Sequence, residues 1–232
     1  TSGKQSAGIL AQSVGGGGGF GASADSANYS VPGLSRQSIK IALGGSGGAQ
    51  GHGGDVTVRD APNIVTSGGG SAAILAQSIG GGGGLGGGSS TSGLIGFALG
   101  GSGGGNGDGG TVLVEGSSVL ATSGATSAGI VAQSVGAGGG VGGISDTTLF
   151  GTEAGLHVSI GGEAGTSGQG GDVTAQWSGT INTSGAVSMG IFAQSVGGGG
   201  GLILADNVKV SGVSGASLVS TLSSAAGNGG SV

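Results

Sequence analysis

The chain has 232 residues, of which 67 are glycine, and its formal net charge is −5. Two prolines and the lack of a Gly-x-y period exclude collagen, and a positive mean hydropathy with recurrent Val and Ile argues against a disordered linker. Only 5 residues are Lys or Arg, which leaves no basic patch for nucleic acid or an anionic membrane. Cysteine is absent, and no apolar run approaches the roughly 20 residues that span a bilayer.

A long motif occurs four times, starting at Thr1, Thr66, Thr122 and Thr183. It reads TSGKQSAGILAQSVGGGGG in the first copy and TSGGGSAAILAQSIGGGGG in the second. The start-to-start spacings are 65, 56 and 61 residues, which is the signature of a repeat architecture. We therefore expect residues 1–232 to form a single elongated domain. No signal peptide is recognisable, and the chain reads as a fragment of something longer.

The first predicted strand of each repeat is the Ile-x-Ala-Gln-Ser-Val/Ile segment of the motif. Its Ile and Ala are identical in all four copies, whereas the residue between them varies, so Ile and Ala are expected to face the interior. Thr-Ser-Gly before it reads as a corner, because glycine tolerates a positive φ. Apolar or alternating segments predict the remaining strands. They are 39–43, 95–99 and 156–160, then 55–58, 111–114 and 172–175, and finally 63–65, 119–121 and 180–182.

Each repeat thus divides into three segments of about 20 residues, the size of one rung in a parallel β-helix. This predicts an all-β fold, a right-handed parallel β-helix (β-solenoid) with about three rungs per repeat and a glycine-rich edge. At about 4.8 Å per rung, twelve rungs would extend about 55–60 Å. Equivalent glutamines (Gln12, Gln77, Gln133 and Gln194) would then lie about 14 Å apart, too far to bond.

The glycine runs after the motif strand admit several interpretations. They are flexible loops, or extended polyproline-II-like segments packed side by side, or surfaces that interlock with a neighbouring rod. The segments 22–37, 89–93, 144–155 and 202–226 differ most between repeats and are expected to be loops on one side. These loops either form a binding side or vary in length and sequence because the fold tolerates it. They carry Tyr29, Pro32, Arg36, Asp146 and Glu153.

Several short patterns suggest chemistry, but each has a structural explanation. Residues 44–48 and 100–104 match the Gly-x-Ser-x-Gly nucleophile elbow, yet only His52 and His157 could serve as bases. Asp55, Asp108 and Asp172 follow glycines as in calcium repeats, but we expect them to bond local backbone N–H groups. Trp177 is expected to stack over the neighbouring rung. We predict no enzyme activity, no catalytic residues, no cofactor and no metal site.

The Ser-x-Gly-Ile-x-Ala-Gln-Ser-Ile/Val string with its five glycines resembles the glycine-rich repeats in passenger regions of bacterial autotransporters (type V secretion). The resemblance covers essentially the whole chain and contributes no catalytic residues. It implies a secreted, right-handed β-helical stalk, displayed on the cell surface through an outer-membrane barrel outside this chain. Its partners would be host or bacterial surface molecules or like chains, in adhesion or biofilm formation.

Alternative functions remain at this point. A self-assembling extracellular filament subunit would pack through its glycine runs and apolar strips. An ice-binding solenoid would need Thr ladders on consecutive rungs, whereas three rungs per repeat would place Thr-Ser-Gly on every third rung. A polysaccharide-active enzyme would need clustered carboxylates, and the 10 acidic residues are scattered.

Overall fold

The computed structural model describes residues 1–26, 39–92, 95–105, 107–143, 145–149, 156–160, 162–201, 207–210, 216–220 and 226–232. Within these ranges the chain is all-β, with eighteen strands and no helix. Every strand pairing is parallel, and the strands form five stacked sheets. The architecture is solenoid-like, because successive strands along the chain enter different sheets and return to the first after one repeat.

The five sheets each collect one strand from successive repeats. The motif strands are β1 (Ile9–Val14), β6 (Ile74–Ile79), β11 (Ile130–Val135) and β16 (Ile191–Val196). The second sheet has β2 (Ala24–Asp25), β7 (Ser89–Ser92), β12 (Ser145–Leu149) and β17 (Asn207–Val210), and the third has β3 (Ile39–Leu43), β8 (Ile95–Leu99), β13 (Leu156–Ile160) and β18 (Ala216–Ser220). The fourth has β4 (Val56–Arg59), β9 (Val112–Gly116) and β14 (Val173–Trp177), and the fifth has β5 (Ile64–Thr66), β10 (Leu120–Thr122) and β15 (Ile181–Thr183).

Each repeat makes one coil of the solenoid, and the prediction of three rungs per repeat is wrong. Ile9 pairs directly with Ile74, and Ile130 pairs with Ile74 on the other side. A coil is therefore about 60 residues long and advances the stack by only about 4.8 Å. The four motif strands span roughly 15–20 Å along the axis at that spacing, instead of the 55–60 Å expected. The prediction assigned each 20-residue segment a rung of its own, whereas the three segments of a repeat lie in one coil.

The predicted strands themselves are confirmed to within about two residues. The segments 39–43, 95–99 and 156–160 are strands as predicted, and the pairs of short strands before each motif are also present. The second sheet was missed, because its strands are rich in Ser, Thr and Asp and lie in segments interpreted as loops. Those variable segments are thus partly a paired sheet, which corrects their assignment as loops.

Each coil has two β lobes joined by a waist. The motif lobe holds the motif strand and the fourth and fifth sheets, and the distal lobe holds the second and third sheets. The hydrophobic core lies in the motif lobe, where Ile74, Ala76, Val112 and Leu120 of the inner coils are fully buried, and the equivalents of Ile74 and Ala76 in the first and last coils are partly buried or exposed. The Ile and Ala of the motif therefore face inward, as predicted. Burying a side chain such as Ile74 stabilises the fold by about 1.5–3 kcal/mol.

The polar residues of the motif link the coil internally and to its neighbours. Thr66 Oγ1 donates to the carbonyl of Ser71 at 2.8 Å within one corner. Ser71 Oγ donates to the carbonyl of Gly3 in the preceding coil at 2.9 Å, and the backbone N–H of Ser71 donates to Ser127 Oγ in the next at 3.0 Å. At the end of the motif strand, Ser78 Oγ accepts from the N–H of Gly110 and donates to the carbonyl of Gly54. These buried hydroxyls therefore satisfy backbone groups at the corners.

The Thr-Ser-Gly corner is in the predicted place, but its glycine does not carry the left-handed conformation. The positive φ lies two residues later, at Gln5 (52°), Gly70 (69°), Thr126 (55°) and Val187 (55°). The motif glycine serves close approach instead, because a Cβ on Gly68 would overlap the carbonyl of Gly3 in the coil beneath. The consecutive Thr residues form a ladder, but Thr66 and Thr122 are buried and cannot meet ice.

The waist consists of two glycine runs that cross the coil between the lobes. In the second coil these are residues 80–88, called the first run, and residues 100–105 with 107–110, called the second run. Every third N–H donates to the same run of the next coil, as in residues 80, 83 and 86, which donate to 135, 138 and 141 at 2.7–3.1 Å. N–H groups one residue further along donate across the waist to the second run, as in residues 81 and 87, which donate to the carbonyls of 51 and 45 at 2.8–2.9 Å. A period of three is that of polyproline-II helices, which here pack side by side.

The waist has no room for most side chains. A Cβ on Gly103 would lie 2.7 Å from the carbonyl carbon of Gly140, and one on Gly83 would overlap the backbone of Gly140. The φ angles of these glycines lie outside the left-handed region, so the close approach of the backbones is what excludes a side chain. The glycine runs are therefore packed structural segments within one molecule. The predicted glycine-rich edge is an internal layer.

Replacing Gly83 with alanine should destabilise the fold by about 3 kcal/mol, because backbone must move to admit the methyl group. The matched variant Gly82→Ala has nothing within 4 Å of its added Cβ. Gly82→Ala should leave stability within about 0.5 kcal/mol or raise it slightly. Urea unfolding followed by circular dichroism measures both. Equal stabilities would show that the runs are loops after all.

The left-handed corner gives a separate test. Gly70→Ala should lower the free energy of unfolding by about 1 kcal/mol, because φ is +69° and the nearest atom to the added Cβ is 3.5 Å away. Gly69→Ala adds the same methyl group outside the left-handed region, with its nearest neighbour at 3.7 Å, and should be neutral or mildly stabilising. Thermal denaturation of the two variants compares them. A loss at Gly69 as large as that at Gly70 would contradict the assignment.

Candidate functional site

A ladder of glutamines runs along the outside of the motif sheet. Nε2 of Gln12 donates to Oε1 of Gln77 at 3.1 Å, Gln77 donates to Gln133 at 2.6 Å, and Gln133 donates to Gln194 at 3.1 Å. The prediction that these amides lie too far apart to bond is wrong, since equivalent residues sit on adjacent strands. The ladder ties together the outer surface of all four coils.

Apolar ladders flank the glutamines on the same surface, which we call the motif face. It comprises the outward residues of the motif strands and of the first runs. Leu10 and Val14 are 61% and 62% exposed, and Phe20 is 82% exposed. The ladders are Leu10, Leu75, Val131 and Phe192, then Val14, Ile79, Val135 and Val196, then Phe20, Leu85 and Val141. Exposed apolar strips of this kind mark candidate interaction surfaces.

A column of glycines lies between the last two apolar ladders. It consists of Gly17, Gly82, Gly138 and Gly199, all exposed, and we call it the glycine groove. A Cβ on Gly17, Gly82 or Gly199 would meet nothing within 4 Å, and on Gly138 the nearest atom is 3.8 Å away. None of them has a left-handed φ. The waist therefore does not require glycine in this column, in contrast to its inward columns.

The opposite face of the waist differs in composition. The outward positions of the second runs are Ser46, Ala49 and His52, then Ser102, Gly105 and Asp108, then Glu163, Thr166 and Gln169. These residues are mixed and mostly polar. Beside them, the distal strands expose Ile41, Leu43, Phe97 and Leu99. Among the residues that the structure describes, only the motif face combines continuous apolar ladders with an empty column.

The nucleophile-elbow pattern does not assemble a catalytic site. Ser46 lies on the outside of the second run, six residues before His52 on the same extended segment, which places them about 19 Å apart. His52 Nδ1 accepts the backbone N–H of Asp108 at 3.1 Å and lies 3.4 Å from the Asp108 carboxylate. The side chain of His157 lies outside the described residues. The serines are waist residues.

The aspartates at the ends of the second runs accept hydrogen bonds from backbone N–H groups, as predicted, but the donors belong to the next coil instead of the local turn. Asp55 Oδ1 accepts from the N–H of Thr111 at 2.8 Å, and Asp172 Oδ1 accepts from Ser231 at 2.7 Å. Asp108 accepts from Gln169 in the same way. Among the described residues no group of three His, Cys, Asp or Glu side chains could hold a metal ion.

Trp177 packs over the neighbouring coil, as predicted. Its ring occupies the space above its strand partner Gly116, where an added Cβ would lie 2.7 Å from the ring. Its Nε1 donates to the carbonyl of Ser118 at 3.1 Å. The ring thus covers the end of the fourth sheet, and both its face and its Nε1 contact other residues of the fold.

The distal lobe has a thin interior of small residues. Ala42 and Ala98 are buried there on the third sheet, and Ser89 and Thr91 are buried on the second. The hydroxyls of Ser89 and Thr91 lack a hydrogen-bond partner, and each such group costs about 1–3 kcal/mol of stability in this lobe. The amide of Gln50, which is 6% exposed and lies in the second run of the first coil, lacks a partner within the waist. Asp146 pairs with Ser90 on the second sheet, whereas Tyr29, Pro32, Arg36 and Glu153 lie outside the described residues.

The sequence did contain a signal for the glycine groove. Counting every third residue from the last apolar residue of the motif strand gives Val, Gly, Phe in the first repeat, Ile, Gly, Leu in the second and Val, Gly, Val in the third. This period of three is that of polyproline II. A search for periods of two and 3.6 does not detect it.

The part of the chain that the structure describes contains no helix long and apolar enough to cross a membrane.

Loss of one rung of the glutamine ladder should weaken the stacking of coils. Gln77→Ala removes one hydrogen bond to each neighbouring coil and should lower the free energy of unfolding by about 1–2 kcal/mol. The matched control is Gln176→Ala, at an exposed position on β14, which should change stability by less than about 0.5 kcal/mol. Chemical denaturation provides the values. Equal effects would show that the ladder contributes nothing specific.

Comparisons of this chain with protein-family models, with curated proteins and with solved structures give no match, so the candidate site rests on its own geometry.

Proposed function

We propose that this chain is part of the passenger of a bacterial autotransporter, displayed outside the cell and acting as a structural and adhesive scaffold. In this proposal the solenoid is a right-handed parallel β-helix, anchored in the outer membrane by a region outside the chain. The motif resemblance, the stacked parallel sheets and the low content of charge support the proposal. Its partners are host or bacterial surface molecules or like chains, and it needs no cofactor.

The size of the coil favours a broad adhesive surface over a long stalk. About 60 residues advance the solenoid by only about 4.8 Å, whereas a 20-residue rung would advance it as far with a third of the chain. Most of the residues therefore widen the surface instead of lengthening a stalk. The observation that carries the proposal is the motif face, where the same apolar, glutamine and glycine columns recur on successive coils.

The motif face is suited to weak contacts that are repeated many times. Its outward side chains in the motif strands and first runs are apolar or uncharged, and the glutamine ladder holds their spacing. Contacts that are weak singly become strong when many are engaged together on a fixed array. A scaffold with identical columns on each coil provides that array without any single assembled site.

Display on a non-adherent Gram-negative cell tests the proposal. The chain, fused ahead of an autotransporter barrel, should raise attachment to an abiotic surface at least several-fold over the barrel alone. The double variant Val14→Ser, Phe20→Ser should lose a measurable part of this gain, because it removes two strongly exposed apolar groups of the motif face in the first coil.

The matched control for this experiment is Ile41→Ser, Leu43→Ser. These residues are as exposed as Val14 but lie on the distal lobe. The control should keep the attachment of the parent chain. Attachment no greater than that of the barrel alone, with the chain shown at the surface by antibody, would refute an adhesive role.

A further inference from the structure

We propose that the motif face is an isologous interface between two copies of this chain, in which an apolar ladder of each copy occupies the glycine groove of the other. The proposal rests on the geometry of the motif face and not on the cellular origin proposed above, and a paired motif face would be closed to the surface molecules named there. It names a second copy as the occupant because the face is complementary to itself.

The first argument is that the fold leaves room in the glycine groove that no coil uses. Gly82 has nothing within 4 Å of an added Cβ and has an ordinary φ, yet the column is glycine in all four coils. On the opposite face, the outward position of Gly105 is Ala in the preceding coil and Thr in the following one. An outward position of the waist thus accepts side chains, and the glycine groove stays empty for a reason outside the fold.

The second argument is the spacing of columns across the face. Along an extended run three residues cover about 9 Å, so the Val14 and Phe20 ladders lie about 9 Å on either side of the groove. A two-fold axis parallel to the stacking direction, placed midway between the Val14 ladder and the groove, puts each copy's Val14 ladder over the other's groove. The same rotation places the Phe20 ladder between the Leu10 and Gln12 ladders of the partner copy. Ridges therefore meet grooves across the whole face.

The third argument is the match along the stacking direction. All columns repeat once per coil, at about 4.8 Å, because they lie on paired strands or bridged residues. A second copy offers the same repeat, so the fit at one coil recurs at every coil. A globular partner or a lipid surface lacks this spacing. A closed two-fold pairing also engages both faces and leaves neither open for growth.

The area of the face is that of a stable interface. The six residues of a motif strand and the seven of the following run span about 40 Å, at about 3.3 and 3.1 Å per residue. Four coils give about 19 Å along the axis, and the product of about 800 Å² equals the area that each partner of a standard protein complex buries. The columns of the face carry no charged residue in the described coils, as expected of an interface core.

Sedimentation analysis of the purified chain over a range of concentrations tests the pairing. We expect reversible association to twice the monomer mass of 20.7 kDa. The informative variant is Gly82→Leu, Gly138→Leu, which fills the groove and makes the face more apolar. Ridge-in-groove pairing predicts that its dissociation constant rises at least about tenfold. General apolar adhesion predicts the opposite, tighter association.

The matched control is Gly105→Leu on the opposite face, where the nearest atom to an added Cβ is 3.6 Å away. It should associate as the parent does, and circular dichroism and thermal melting should show all variants folded alike. Phe20→Ser should weaken association without unfolding the chain, because Phe20 is 82% exposed. A parent chain that stays monomeric at its highest soluble concentration would overturn the proposal. So would a groove-filled variant that associates as well as the parent.

Discussion

The structure depends on the close approach of two backbones in the waist. The two glycine runs of a coil lie so near each other, and so near the runs of adjacent coils, that most Cβ positions coincide with neighbouring carbonyls. Only glycine permits this, and in return the N–H groups of the runs find acceptors within and between coils. Because most interior positions of the waist are glycine, with Gln50, Ala164 and Ser167 as buried exceptions, the chain can cross from one lobe to the other and return. The 60-residue coil follows from that.

The strands could be predicted from the sequence, whereas the number of coils could not. Alternation and apolar runs located the strands of four sheets, because in those strands burial alternates with side-chain direction. Most residues of the waist are glycine, so its packing leaves little hydrophobic pattern in the sequence. Without it, the usual rung length suggested three rungs per repeat. The four motif strands have the same sequence pattern, which is equally compatible with strands three rungs apart and with strands that pair directly.

The sequence predicted some residues of the candidate site but not how they are arranged. The apolar residue between Ile and Ala was recognised as an outward strip, and Leu10 is exposed as that reading requires. The glutamine ladder was rejected only because it depended on the coil count, and it is present at bonding distance. The glycine groove was missed because one glycine in three, within a run of glycines, stands out only when residues are counted with a period of three.

The two parts of each coil are stabilised by different forces, and they should respond differently to temperature. The motif lobe buries Ile, Val and Leu, whose hydration on unfolding raises the heat capacity. The waist buries mainly peptide groups, whose hydration lowers it. A chain with so much waist therefore has a small heat-capacity change per residue, and its stability varies little between cold and warm surroundings.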